Sequence, residues 1–138
     1  MDCPKLERIL LVEDETDIQT VARLALEDIG ALHVEVCDSG AEALDRGPAF
    51  APQLILLDFM MPGMDGRETM SAFTKVAELV SVPVVFLTAR AQLDEVAEYR
   101  RLGAIEVIVK PFDPLTLAER VQEIWREHHR AQGAGTAG

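Results

Sequence analysis

The stretch LILLDFMMPGMDG, residues 54–66, decides the fold. Four apolar residues lead into one carboxylate, Asp58, and a turn at Pro62 and Gly63 follows within five positions. A short apolar run bounded by turn residues reads as a buried strand. In an open parallel sheet, an aspartate ending such a strand stands outside the carboxyl ends of the strands, where these sheets bind ligands. Taken alone, Asp58 could equally be a turn former or a helix cap. Three other apolar runs ending in chemically matching groups favour the ligand site.

Upstream, RILLV at 8–12 ends in Glu13 and Asp14. Thr16 with Gln19 matches a capping box, and Ile18, Val21, Ala22, Ala25 and Ile29 recur at helical spacing until Gly30 closes the helix. Residues 32–36 form a second strand, and Ser39 with Glu42 opens a short helix ending near Gly47. Downstream of Asp58, Met70, Phe73, Ala77 and Val80 mark a third helix, and VVFL at 84–87 is a strand ending in Thr88 and Ala89. Leu93, Val96 and Ala97 mark a fourth helix stopped by Gly103, and the strand at 106–109 ends in Lys110 and Pro111. Asp113 and Pro114 read as the cap and first turn of a last helix bearing Leu117, Val121, Ile124 and Trp125. Five strands alternating with five helices predict an α/β domain, a doubly wound parallel sheet covered on both faces. Residues 1–130 form that domain, and AQGAGTAG at 131–138 reads as a flexible tail or the start of a linker.

A chain of 138 residues has the length of one domain, and 49% apolar residues place it among globular proteins. With 13 basic and 24 acidic residues the formal net charge is −11, which repels phosphate backbones and argues against direct nucleic-acid binding. The apolar runs are far too short for a membrane span, and the N-terminus carries no secretory signal. Cys3 and Cys37 form neither a metal pattern nor a disulfide framework; reduced thiols fit a cytoplasmic protein. His33, His128 and His129 lie away from the acidic motifs and read as structural or exposed.

The sheet would gather Glu13, Asp14, Asp58, Thr88 and Lys110 at one edge. Three crowded carboxylates require positive charge, or at least one of them takes up a proton. Lys110 supplies one unit and leaves −2. Hard oxygen ligands without His or Cys suit Mg²⁺, which brings the total to zero and ordinarily takes one or two carboxylates plus a substrate phosphate. The expected chemistry is phosphoryl placement beside an aspartate. Asp58 is the nucleophile, Lys110 and the cation neutralise the transferring oxygens, and Thr88 donates to one of them.

Together the acidic pair Glu13-Asp14, the segment 58–66 with Met61, Pro62 and Gly66, Thr88-Ala89, and Lys110-Pro111-Phe112 resemble bacterial two-component response-regulator receiver domains, over residues 8–128. The resemblance implies a flavodoxin-like sheet of order 2-1-3-4-5 and phosphorylation of Asp58 by a sensor histidine kinase or histidine phosphotransfer protein. It further implies Mg²⁺ on Asp14, Asp58 and the backbone carbonyl of Met60, with Glu13 acting through water, and a cis peptide before Pro111. Such a domain is a signalling module, not an enzyme, although it assists its own phosphoryl transfer and hydrolysis. Partner binding or homodimerisation uses the face of the fourth helix, fifth strand and last helix.

Two positions depart from the family pattern. The aromatic residue usual three places before the lysine is replaced by Val107, small and stiff. Switching is therefore expected to run through Thr88 and the loop after it, without an aromatic rotamer. Met60 and Arg90, two places after Asp58 and Thr88, stand where polar or acidic groups are frequent, and imply a long-lived phosphoaspartate. The alternative function is a degenerate receiver that binds a partner without phosphorylation. A phosphatase of the haloacid dehalogenase type is rejected because its nucleophile follows the first strand and has a second Asp two residues on, where Met60 stands here. A flavin module is rejected because Glu13 and Asp14 would repel the flavin phosphate.

Overall fold

The computed structural model describes residues 3–137. Among them, five strands alternate with five α-helices in the order β1 (Arg8–Val12), α1 (Thr16–Leu24), β2 (His33–Cys37), α2 (Gly40–Phe50), β3 (Leu54–Asp58), α3 (Gly66–Phe73), β4 (Val84–Thr88), α4 (Leu93–Arg101), β5 (Glu106–Val109) and α5 (Leu117–Ala137). All strand pairs are parallel, in the order β2-β1-β3-β4-β5. The chain winds one way from β1 to β2 and the other way from β3 onward, so the crevice between β1 and β3 is the topological switch point. The expected fold and strand order are the observed ones.

Strand period decides the core. Ile9, Leu11, Leu54, Leu56, Val85 and Leu87 point to one face, where Leu26, Val121, Ile124 and Trp125 of α5 and the turn after α1 cover them. Leu10, Val12, Ile55, Leu57 and Phe86 point to the other, under Ala43, Phe73, Leu79 and Tyr99. β3 and β4 are buried along their full length, which is why they read as continuous apolar runs. Each fully buried Leu or Ile contributes about 1.5–3 kcal/mol.

Several local expectations are corrected. Thr16 and Gln19 form no capping box: the cap position is Glu15, without a side-chain bond, and the Gln19 side chain donates instead to the Glu13 carbonyl at 2.5 Å. The first helix closes at Gly30 as expected, in a right-handed conformation. After Leu24 it widens into a π-helical turn, Ala25–Ile29, and the left-handed residue is Ala31, with φ 56°. Gly30 has another purpose, close approach: a Cβ there would lie 2.7 Å from the Cβ of Ala118 on α5. The second strand lies one residue later than expected, and α2 runs through Gly47 and Pro48 to Phe50, because packing on Leu10 and Leu79 outweighs propensity.

The third helix ends at Phe73, and irregular turns carry the chain to β4; Leu79 anchors them while Val80 is exposed. On α4 the buried anchor is Tyr99, whereas Leu93 is 91% exposed. Asp113 and Pro114 do not open α5. The Asp113 carboxylate accepts from Leu115 N–H at 2.9 Å in a preceding turn, and the helix starts at Leu117. At its other end α5 runs to Ala137.

Candidate functional site

The expected site residues stand one beside another because the parallel ladder continues past the strand ends. Glu13 N–H bonds the Cys37 carbonyl at 3.0 Å, Phe59 N–H the Leu87 carbonyl at 3.0 Å, and Lys110 N–H the Thr88 carbonyl at 2.8 Å. The backbone at each functional position is thus held by its neighbouring strand. Past Asp58 the chain turns through Pro62 and Gly63 into α3, where Asp65 and Glu68 form a reciprocal capping box. Gly66 is required there: its N–H bonds the Phe59 carbonyl at 2.9 Å, and a Cβ would meet the Phe59 Cα at 2.8 Å. The Lys110–Pro111 peptide is cis, as the resemblance implied.

Glu13, Asp14 and Asp58 each offer a carboxylate oxygen within 4.8 Å of the others. Lys110 reaches into this cluster, its Nζ 3.2 Å from Asp58 Oδ1 and 3.3 Å from Glu13 Oε1. The same Asp58 Oδ1 accepts the Met60 N–H at 3.1 Å. Asp58 Oδ2 and Asp14 Oδ1 are buried and have no hydrogen-bond partner. Two orphaned acidic oxygens on one site are costly in a folded protein and mark a place built for something positive.

The electrostatics agree. Burial first, then hydrogen bonding to and repulsion by Asp58, push the Glu13 carboxyl up to about 8. Burial and then hydrogen bonding to Asp58 push Asp14 upward as well. Burial works against the Lys110 ammonium, but the charges of Asp58 and Glu13 outweigh it and hold its pKa above the ordinary lysine value. Without a cation the cluster therefore holds a proton that it would release to one.

Thr88, at the end of β4, is buried, and its hydroxyl is engaged by two neighbours. It accepts the Arg90 N–H at 3.1 Å and lies 3.3 Å from the Tyr99 hydroxyl. Tyr99 comes from α4 and stacks edge-on against Phe86 and at a tilt against Phe59, with ring centroids 5.5 and 4.8 Å away. Sequence reading missed Tyr99. The available signal was the chain's single tyrosine, three residues after Val96 on the inward face of a predicted helix. Val107 is half-buried against the same apolar cluster, and an aromatic neighbour of Thr88 arrives from a different element, Tyr99 of α4.

The rim side chains face solvent or another residue. Met60 is 67% exposed, and the Arg90 guanidinium is paired with Glu95 at 2.7 Å. Among the described residues, no helix is long and apolar enough to cross a membrane.

Comparison with known proteins agrees with this geometry. The response regulator receiver domain family matches residues 9–122. The chain is 32% identical over 128 residues to the response regulator Rre1 of Synechocystis, covering 93% of this chain and 55% of that protein. It is 34% identical over 135 residues to the transcriptional regulatory protein CseB of Streptomyces coelicolor, covering 94% and 56%. It thus spans about half the length of the curated relatives it matches. Among solved structures, the chemotaxis protein CheY4 of Vibrio cholerae superposes with a TM-score of 0.79 at 29% identity, over 87% of this chain and 99% of that one. A response regulator from Desulfuromonas acetoxidans gives 0.77 at 27% identity, over 87% and 97%. With the sheet order, the acidic crevice and the cis Lys110–Pro111 bond all in place, the chain belongs to the response regulator receiver domains, the signalling modules of two-component systems.

Proposed function

We propose that Asp58 is the phosphoryl acceptor and that Glu13, Asp14, Thr88 and Lys110 form its machinery. The observation that carries this reading is the division of labour between the two oxygens of one buried carboxylate. Oδ1 is fixed by Lys110 and the Met60 N–H, while Oδ2 is buried and unpartnered. A carboxylate clamped at one oxygen and free at the other is oriented for attack, so positioning replaces a general base. The donor is the phosphohistidine of a sensor kinase or phosphotransfer protein. An Asp58 oxygen forms the new bond to phosphorus, the P–N bond breaks, and the imidazole leaves with the electron pair.

Mg²⁺ fits the donor set, three hard carboxylates with two orphaned oxygens and no soft ligand. Asp14 and Asp58 would hold it with the Met60 carbonyl, Glu13 acting through water, and it supplies charge neutralisation on the phosphoryl oxygens. Glu13 also keeps the Lys110 ammonium beside Asp58. Lys110 then neutralises a phosphoryl oxygen, and Thr88 donates its hydroxyl proton to another. Residues 1–130 act as this unit, in the cytoplasm. Leu93, Val109 and Leu115, all exposed, support the face of α4, β5 and α5 as the surface for a partner or a second copy. The acidic charge of the chain speaks against direct contact with nucleic acid.

The test is incubation with acetyl phosphate, with and without Mg²⁺, followed by mass measurement. The wild type gains one phosphoryl group only with the cation, and Asp58→Asn gains none. Full modification of Asp58→Asn would overturn the assignment, and a wild type that takes up neither phosphate nor beryllofluoride would support the degenerate alternative.

A further inference from the structure

The hydroxyls of Thr88 and Tyr99 have a definite proton order. Each hydroxyl carries one proton. The Arg90 carbonyl can only accept, and the Tyr99 hydroxyl donates to it at 3.0 Å. With that proton spent, the 3.3 Å contact between Thr88 and Tyr99 has Thr88 as donor and Tyr99 as acceptor. Thr88 in turn accepts from the Arg90 N–H. The bonds close a ring: Arg90 N–H to Thr88, Thr88 O–H to Tyr99, Tyr99 O–H to the Arg90 carbonyl. Every donor is used once, and bonds arranged head to tail strengthen one another.

We infer that Tyr99 is a positioning residue that competes with the phosphoryl group for the single proton of Thr88, so that filling the site at Asp58 opens the ring and releases the inner face of α4. This rests on the reading of Asp58 as acceptor and deepens it. Thr88 is itself buried, and its only hydrogen is committed to Tyr99. It can serve a phosphoryl oxygen only by leaving the tyrosine. The Tyr99 ring is held by Phe59, the residue after Asp58, and by Phe86 of β4, so loss of its bond to Thr88 is felt directly on α4. Val107 leaves the fifth strand without an aromatic ring, and the coupling runs through the fourth helix instead.

Tyr99 is the chain's single tyrosine, so ring labelling with ¹³C at Cζ gives one resonance that reports its hydroxyl. The full chain is titrated with beryllofluoride in saturating Mg²⁺, with ¹⁹F spectra recording bound fluoroberyllate independently. The Tyr99 resonance is expected to move on binding in the wild type. In Thr88→Val it should already stand near the moved position and shift little further. Tyr99→Phe keeps the ring packing and frees the Thr88 proton, and should bind beryllofluoride about two- to tenfold more tightly, the equivalent of one neutral hydrogen bond. A bound ¹⁹F signal with an unmoved Tyr99 resonance, or equal or weaker binding by Tyr99→Phe, overturns the competition while leaving Asp58 as acceptor. Absence of bound ¹⁹F signal in the wild type overturns the acceptor reading, and the competition with it.

Discussion

Two polar clusters lie side by side at the carboxyl edge of the sheet, and they are built on opposite terms. At the ends of β1 and β3, Glu13, Asp14 and Asp58 crowd like charges together and leave Asp14 Oδ1 and Asp58 Oδ2 unpartnered. At the end of β4, Thr88, Arg90 and Tyr99 carry no charge into their ring of bonds and spend every proton. On the proposed reading, the first cluster gains by taking up a cation and a phosphoryl group. The second loses a bond when Thr88 is drawn away. A buried site that lacks partners is poised to bind, and a satisfied one beside it is poised to respond.

The contrast predicts effects of opposite sign. The largest is on chemistry: Asp58→Asn abolishes phosphoryl uptake, and Asp14→Asn raises the Mg²⁺ needed for half-maximal uptake, both read by mass. Next comes pH. The ordinary Glu13 value of 4.5 is raised to about 8 in the fold. A raised value means that the stabilising contribution is complete below about pH 4.5 and is lost as pH rises through about 8. In chelator the unfolding free energy should fall across that window by on the order of 2–4 kcal/mol. Millimolar Mg²⁺ or Glu13→Gln should flatten the slope. A chelator profile already flat from pH 5 to 9 would show that the cluster carries no repulsion to relieve.

Smaller and more diagnostic is the sign of single replacements without metal. Asp58→Asn relieves repulsion and should stabilise the apo protein by about 1 kcal/mol. Tyr99→Phe breaks a satisfied ring and should destabilise it by about the same amount. Equal signs in urea denaturation would erase the distinction between the clusters. The smallest effect is the coupling between Thr88 and Tyr99, about 0.5–1.5 kcal/mol in a double-mutant cycle with Thr88→Val and Tyr99→Phe. Additive losses would mean that the two hydroxyls do not share a proton.

The charged cluster was legible in the sequence and the neutral one was not. Glu13, Asp14, Asp58 and Lys110 each follow an apolar run, so strand period and parallel topology bring them together wherever the intervening helices begin or end. Errors at those helices, such as the missed π-helical turn at Ala25–Ile29 or the early end of α3 at Phe73, left the site untouched. Asp65 with Glu68 was a readable capping box that passed unnoticed. Leu93 and Tyr99 show the harder case: both are apolar residues of one short helix, and only docking on the sheet decides which is 91% exposed and which is buried.

What the sequence determined by itself is the order of elements, the alternation that splits the core into two faces, and the acidic residues at the strand ends. Those follow from local rules of period two, turn chemistry and charge, which act between neighbours in the chain. Tertiary structure alone decided which oxygen of Asp58 lacks a partner, why Gly30 must have no side chain against Ala118, and that the Thr88 and Tyr99 hydroxyls meet at 3.3 Å. Each of these depends on an approach of a few ångströms between residues on different elements, and the sum of the packing sets that distance.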